Sequence, residues 1–426
     1  MAETIDRETV EDIHAYIRDY LAGRSQGDRD EATKPETYRR LVMERLTARG
    51  ITVEDLHVVD RLALDAYNKI SPGRLGGLEP LLAHPDVTEI MVNGPDEVWY
   101  EAKGTIRRAT SVSLGTDADV RALITRIVTA DNKLCDEAHP MCDCVLHRPG
   151  EACDQSRVNT VVPPISVDHP LIDIRKFRKD VTRLEELMRL GTLDADMARL
   201  LDALVRARMN VLVVGGTGTG KTTLLNAMSR LIPDTERIIT IEDTPELSID
   251  KPQVVRMTSR DANAEGAGEV TIRRLVKNAL RQRPDRIIVG ECRSDETMEM
   301  LQAMSTGHDG SLSTVHANGC RDALDRLNVM VHYGSDLSEH IVKQIIASAI
   351  DFVVALDRDS AGVRRIVDIS EVQAYTPTSD VITMAPIWGW SPQTGEFAPT
   401  GQVPSQAAMK KFSDAGVDVS PRWFRR

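Results

Sequence analysis

One eight-residue stretch has the residue types and the spacing of a phosphate-binding loop. It fits the pattern G-x-x-x-x-G-K-[ST] with Gly215, Gly216, Thr217, Gly218, Thr219, Gly220, Lys221 and Thr222. Glycines let the backbone curl so that successive N–H groups point at phosphate oxygens. Lys221 could then bridge the β- and γ-phosphates, and the Thr222 hydroxyl could ligate Mg²⁺. We therefore predict a site for ATP and Mg²⁺, with Thr223 as a further nucleotide contact.

The segments on either side of this loop, which we call the P-loop, are those that phosphate binding requires. An apolar, β-branched run at residues 210–214 predicts a strand that ends on Gly215, and residues 222–231 predict a helix. The N-terminus of that helix adds partial positive charge where phosphates would bind. A chance glycine-rich turn would need neither neighbour, so the context favours a nucleotide site.

Two further apolar runs end in carboxylates, at the strand ends where open α/β sheets bind ligands. Glu291 follows the run at 286–290, and Glu242 and Asp243 follow the run at 237–241, with Glu246 shortly after. We expect Glu291 to lie near the metal and its waters, and Glu242 to polarise the attacking water. Asp243 and Glu246 are explained equally well as caps of a helix N-terminus.

A histidine and several arginines complete the candidate site. His316 follows a third strand-like run at 311–315, where it could contact the γ-phosphate. Arg157, Arg175 and Arg178 precede the P-loop region and could offset phosphate charge. Most charge runs are only solvated faces, but Arg175 lies in an alternating, strand-like segment from which it could reach a nucleotide.

The composition of the 426 residues is that of a globular protein, with 41% hydrophobic residues, 28% charged residues and a formal net charge of −12. An acidic balance argues weakly against nonspecific DNA binding. No apolar run reaches the length of a membrane-spanning helix, and the charged N-terminus lacks the apolar region of a secretory signal. We therefore expect a cytoplasmic protein whose membrane contacts run through partners.

The pattern along the chain predicts three regions. Residues 1–72 predict a small helical segment, and residues 73–185 predict an α+β domain with short strands and one helix. Residues 186–426 alternate strands with helices, which indicates an α/β domain with a buried parallel sheet, followed by antiparallel strands after residue 356.

These residues resemble the secretion ATPase superfamily of type II and type IV secretion and type IV pili, and within it the Tad/Flp pilus branch (CpaF-like). The resemblance rests on the stretches VTEIMVNGPDEVW, SRVNTVVPP, IRKF, NVLVVGGTGTGKTTLLNA, ERIITIEDTPEL, ALRQRPDRIIVGECR and MSTGHDGSLSTVHAN. They occur in the family's order and cover roughly residues 78–327.

The resemblance implies a RecA-like C-terminal domain, a hexameric ring and a motor at the inner face of the cytoplasmic membrane. It implies that this motor acts on an inner-membrane platform protein of a pilus or secretion machine. It also implies that Lys221 and Thr222 belong to Walker A, Glu242 to the Asp box, Glu291 to Walker B and His316 to the His box. Two arginines of the N-terminal domain would reach the phosphates, namely Arg157 and Arg175.

One segment departs from the family pattern and carries Cys135, Cys142, Cys144 and Cys153, with His139 and His147 between them. Thiolates and imidazoles are the usual ligands of Zn²⁺, so a zinc site is conceivable. No C-x-x-C spacing occurs in this segment, however. We therefore expect buried or incidental thiols here rather than a metal site.

Two other functions remain open from the sequence. A DNA-translocating or conjugative ring would also carry a P-loop, although no nucleic-acid module is recognisable and no sequence-specific binding is expected. A nucleotide-gated scaffold would bind ATP without hydrolysing it, but Lys221, Glu242, Glu291 and His316 argue for hydrolysis.

Overall fold

The computed structural model describes residues 5–22, 34–53, 55–71, 74–148, 155–177, 183–262 and 267–424. These residues belong to two compact units, residues 1–178 and residues 179–426. No helix within the described ranges is both long enough and apolar enough to cross a membrane.

Within the described residues, the first unit opens with the helices α1 (Arg7–Ala22), α2 (Pro35–Ala48) and α3 (Leu56–Ile70). Their apolar residues recur at helical spacing and bury a common core that includes Ile13, Ile17, Tyr38, Leu41, Val42, Leu46, Val59 and Ala66. The Asp55 carboxylate accepts the backbone N–H of His57 and so caps α3. The helical N-terminal segment predicted from the sequence therefore forms with its own core.

A six-stranded antiparallel sheet makes up the rest of the first unit. Its strands are β1 (Val87–Gly94), β2 (Glu97–Ala102), β3 (Thr105–Arg108), β4 (Met141–His147), β5 (Gln155–Val161) and β6 (Leu171–Lys176), in the order β3-β2-β1-β6-β5-β4. Among the described residues, the helices α4 (Glu79–Ala83) and α5 (Asp117–Ala130) accompany the sheet. The α+β character predicted from the short strands is confirmed.

The cysteine-rich segment contains a strand that the sequence did not predict. Along β4, Cys142 and Cys144 are buried on either side of the exposed Asp143 and join Cys135 in the apolar core of this unit. Burial raises the pKa of the Cys135 thiol. Within the described residues, no group of three or more His, Cys, Asp or Glu side chains could hold a metal ion. Cys153 lies outside those residues.

A nine-stranded mixed sheet forms the centre of the second unit. Its strand order is β15-β14-β13-β12-β7-β11-β10-β8-β9. Six strands run parallel: β12 (Phe352–Arg358), β7 (Val211–Gly215), β11 (Leu312–His316), β10 (Arg286–Cys292), β8 (Ile238–Glu242) and β9 (Val254–Thr258). Three antiparallel strands extend the sheet: β13 (Arg364–Thr376), β14 (Val381–Ser391) and β15 (Glu396–Pro399).

Helices cover both faces of this sheet. They are α6 (Leu184–Arg189), α7 (Ala195–Arg206), α8 (Lys221–Ser229), α9 (Ile272–Ala279), α10 (Thr297–Ser305), α11 (Cys320–Val331), α12 (Glu339–Ala349) and α13 (Gln406–Asp414). Along β7, Val211 and Val213 face a core with α7 and α8, and Leu212 and Val214 face a core with α9 to α12. Because both faces are covered, the strand is apolar throughout.

A buried charge cluster connects the N-terminal ends of three strands of this sheet. Arg286 is fully buried, and its Nε and Nη2 atoms donate to the Glu236 carboxylate at 2.6 and 3.1 Å. Arg208 donates to the same carboxylate at 3.0 Å, and Arg286 Nη1 donates to the Gly310 carbonyl at 3.3 Å. Glu236 therefore neutralises two guanidinium groups at the edge where β8, β10 and β11 begin.

Glu236→Ala is expected to lower the free energy of unfolding by about 3 kcal/mol, because it leaves a buried guanidinium without its counter-charge. Urea unfolding followed by circular dichroism measures the change. Asp202→Ala is the matched control, since it breaks the exposed pair between Asp202 and Arg206, for which a loss of about 0.5 kcal/mol is expected. Equal losses in the two variants would contradict a stabilising role for the buried cluster.

Candidate nucleotide-binding site

The P-loop leaves the end of β7 and enters α8, as the sequence predicted. A Cβ atom on Gly215 would lie 2.5 Å from the Leu356 carbonyl oxygen, so only glycine fits against the neighbouring strand. Gly218 has a φ of 70° and Gly220 a φ of 99°, in the left-handed region that favours glycine. The glycines of the motif are therefore required by the curl of the backbone.

Side chains of the P-loop hold its own carbonyls. Lys221 Nζ donates to the carbonyl oxygens of Gly215 at 3.0 Å and Gly216 at 2.9 Å. The Thr219 hydroxyl donates to the Gly216 carbonyl at 3.0 Å. The lysine ammonium thus lies against the concave backbone, where phosphate oxygens would be stronger acceptors for it.

Glu242, at the end of β8, is buried and bonded to backbone. Its Oε1 atom accepts the N–H groups of Glu246 at 2.9 Å and Leu247 at 2.8 Å. Burial raises the pKa of Glu242 to about 7, although the two backbone hydrogen bonds oppose the shift. A Cβ atom on Gly290 would lie 2.8 Å from Glu242 Cγ, so glycine at the end of the neighbouring strand leaves room for this carboxylate.

Glu246 is the acid that lies next to the P-loop. Its Oε2 atom is 3.4 Å from the Thr222 hydroxyl oxygen. The turn that carries it is fixed by Glu242 and by Asn226, whose Oδ1 atom accepts the Ser248 N–H at 2.9 Å. From the sequence, a place among the site carboxylates and a capping role explained Glu246 equally well; its place one turn after a strand end was the signal in favour of the site.

Glu291 lies near the end of β10, and its carboxylate bonds to Arg293. The Arg293 Nε atom donates to Glu291 Oε2 at 2.9 Å, and Arg293 also lies 3.9 Å from Asp243. Mg²⁺ prefers oxygen ligands and is usually held by one or two protein groups together with phosphates and water. The Thr222 hydroxyl and the carboxylates of Glu246 and Glu291 match that chemistry.

His316 ends β11, and its Cα pairs with that of Gly215 across the parallel ladder between β11 and β7. The structure therefore places this histidine beside the first residue of the P-loop, at the edge of the sheet where Glu242 ends β8 and Glu291 lies near the end of β10. This placement agrees with the edge that the sequence predicted for it.

Arg157 and Arg175 are direct cross-strand neighbours on β5 and β6 of the first unit. Each has an acidic partner on the same sheet: Arg157 lies 3.2 Å from Asp143, and Arg175 lies 3.8 Å from Glu89. Directly opposed residues of an antiparallel pair lie on the same face of a sheet, and a guanidinium group is a strong donor to an anion. Arg178 lies outside the described residues.

Comparison with known proteins gives consistent relatives. Residues 74–375 match the family described as type II/IV secretion system protein. A putative conjugal transfer protein of Mycobacterium tuberculosis is 38% identical over 309 residues, which cover 72% of this chain and 87% of the relative. The type IV secretion system protein PtlH of Bordetella pertussis is 36% identical over 326 residues, which cover 69% of this chain and 93% of PtlH.

Solved structures share the fold. The pilus retraction motor PilT with bound ADP superposes with a TM-score of 0.51 at 18% identity, covering 80% of this chain and 86% of PilT. The ATPase DotB of Legionella pneumophila gives a TM-score of 0.50 at 21% identity, covering 71% of this chain and 80% of DotB. By its sequence match the chain belongs to the type II/IV secretion system protein family, and it has the fold of the ATPase DotB.

Proposed function

We propose that this chain is an ATPase that hydrolyses MgATP at the P-loop and thereby drives a Tad/Flp-type pilus or a type II/IV secretion machine. The observation that carries the proposal is the junction of β7, P-loop and α8, with Lys221 inside the loop and Glu246 beside the Thr222 hydroxyl. Membership of the secretion family supports the coupling of hydrolysis to such a machine.

In this proposal the P-loop binds the nucleotide through its amides, Lys221 and Thr223. Phosphate oxygens replace the two carbonyl acceptors of Lys221, so that its ammonium group binds the β- and γ-phosphates. Thr222 and Glu291 would hold Mg²⁺, which would neutralise charge on the phosphates. His316, which lies beside Gly215 at the start of the P-loop, contacts the γ-phosphate.

Glu246 orients the attacking water and accepts its proton, and Glu242 positions Glu246. The sequence assigned the water to Glu242, but the Oε1 atom of that carboxylate is occupied by two backbone N–H groups. A carboxylate beside the hydroxyl that would ligate the metal is better placed for general-base work. Glu242 then acts through the turn that it holds.

We further propose a hexameric ring in the cytoplasm, docked at the inner face of the cytoplasmic membrane on a platform protein of the machine. Arg157 and Arg175 would bind nucleotide phosphates in that assembly. Their cross-strand pairing supports this role, because directly opposed residues lie on the same face of the sheet, and guanidinium groups bind phosphate through paired N–H donors.

Lys221→Ala is expected to reduce ATP turnover at least 100-fold, since it removes the charge that bridges the transferred phosphate. Phosphate release from the purified full chain measures the change. Lys410→Ala is the matched control, because Lys410 is an exposed lysine of α13 whose charge lies outside the P-loop. Turnover of the unmodified chain no faster than that of Lys221→Ala would instead favour a nucleotide-gated scaffold.

Glu246→Gln is expected to lower kcat roughly 100-fold, and Glu242→Gln less than tenfold, because a glutamine at 242 still accepts both backbone N–H groups. The reverse order would return the water-polarising role to Glu242.

The pH dependence gives a second measurement. Ionised Glu242 is the stronger acceptor, so kcat of the unmodified chain should rise as the pH passes about 7, and this rise should be absent in Glu242→Gln.

Stability should change in the opposite direction with pH. The folded-state pKa of Glu242 lies above the ordinary value of 4.5, so its neutral form stabilises the fold fully below the ordinary value. That contribution is lost as the pH rises to about 7. The thermal midpoint of the unmodified chain should therefore fall more across this range than that of Glu242→Gln.

A conjugative, DNA-translocating ring is the second candidate, because the chain is similar to proteins named for conjugal transfer in Mycobacterium tuberculosis and Rhizobium radiobacter. The pilus or secretion motor predicts that duplex or single-stranded DNA changes ATP turnover less than twofold at low salt. A DNA-dependent ring predicts several-fold stimulation that declines steeply as salt rises. The acidic balance of the chain, −12, favours the first outcome.

A further inference from the structure

Two arginines that lie far from the P-loop in sequence contact it. Arg358, the last residue of β12, donates from Nη2 to the Gly218 carbonyl oxygen at 3.0 Å. Arg364, the first residue of β13, donates from Nε to the same oxygen at 2.9 Å. The hairpin that joins β12 and β13 therefore places two guanidinium groups on one carbonyl of the phosphate-binding loop.

The contact constrains a peptide unit that glycine would otherwise leave free. Gly218 has a φ of 70° and no Cβ, so its peptide could rotate at small cost. In a trans peptide the C=O of one residue and the N–H of the next point in opposite directions. With the Gly218 carbonyl directed at the hairpin, the Thr219 N–H must point away from it.

The hairpin itself is held firmly. The Oδ1 atom of Asp359 accepts the N–H groups of Ala361 and Val363 at 2.9 and 2.8 Å, and its Oδ2 atom accepts Arg365 Nε at 2.8 Å. Arg365 also donates to the Gly191 carbonyl at 2.8 Å and lies 5.0 Å from the centre of the Trp390 ring. The two arginines at the hairpin therefore extend from a braced support.

We propose that Arg358 and Arg364 are positioning residues for nucleotide binding, which fix the Gly218–Thr219 peptide so that its N–H is aimed at a phosphate before the nucleotide arrives. The inference rests on the proposed function of the P-loop and adds two residues to it. P-loop amides cradle the α- and β-phosphates, so the two arginines serve ADP and ATP alike. They act through the loop backbone and are not catalytic residues.

A long-range charge effect is the competing explanation, since two positive groups near a polyphosphate also attract it. Salt distinguishes the two explanations. A field between exposed charges is screened at high ionic strength, whereas a peptide held in place by direct hydrogen bonds keeps its orientation. The positioning role therefore predicts a loss of affinity that persists when salt is raised.

The test is the double variant Arg358→Met/Arg364→Met in the full chain, with Arg206→Met as the matched control for loss of an exposed arginine in the same unit. Calorimetric titration with MgADP and with MgATP, the latter in a Glu246→Gln background, measures affinity. We expect the variant to bind both nucleotides about tenfold more weakly than the unmodified chain does. This ratio should stay the same between about 0.1 and 0.5 M salt. KM should rise while kcat stays within about threefold of its value in the unmodified chain, because the lost interaction stabilises the bound substrate and the transition state equally.

The conservative pair Arg358→Lys/Arg364→Lys should recover part of the affinity, because each lysine can still donate to the carbonyl. Affinity of the Met pair equal to that of Arg206→Met would overturn the inference, as would a loss confined to MgATP or abolished by salt. If the Met pair lowers the thermal midpoint of the nucleotide-free chain, its affinity no longer tests the inference, and the affinity of the Lys pair tests it instead. Absence of MgADP binding by the unmodified chain would refute the proposed function itself.

Discussion

A phosphate-binding loop must turn its N–H groups toward the ligand, and its carbonyl oxygens then need partners of their own. In this chain, side chains supply them. Lys221 and Thr219 donate to the carbonyls of Gly215 and Gly216, and the β12–β13 hairpin donates twice to Gly218. The curl of the P-loop is therefore determined by these carbonyl hydrogen bonds as much as by its glycines.

The acidic side of the site follows the same logic of backbone held by buried polar groups. Burial of the Glu242 carboxylate disfavours its charged form and raises its pKa. This carboxylate nevertheless accepts two N–H groups of the turn that carries Glu246. Gly290 makes space for this carboxylate on the neighbouring strand. A buried acid thus fixes the position of a more exposed one beside the Thr222 hydroxyl.

Sequence reasoning predicted the parts of this site that local pattern specifies. The P-loop has a spacing that chemistry demands, and the apolar runs around it are continuous because their strands are covered on both faces. Five of the six parallel strands and the antiparallel strands β13 and β14 agree with the predicted runs. Two edge strands of the second sheet were missed, β9 and β15, because exposed edges lack that apolar signal.

The parts that could not be predicted depend on distance in the chain. Arg358 and Arg364 are 140 and 146 residues from Gly218, and nothing in their own neighbourhood marks them as P-loop contacts. Strand β4 was not predicted, because its cysteines were considered as isolated thiols or metal ligands and not as the alternating apolar residues of a strand. Glu246 was ambiguous because a strand-end acid and a helix cap look alike without coordinates.

The antiparallel extension explains why a hairpin so far along the chain can act at the P-loop. β12 pairs directly with β7, so the end of β12 lies where the P-loop begins, and Leu356 is the Cα partner of Gly215. β13 and β14 then continue the sheet and bring Trp390 against Arg365. Trp390 lies beyond residues 74–375, which match the family. The support of the hairpin therefore includes β14, a part of the chain outside the family match.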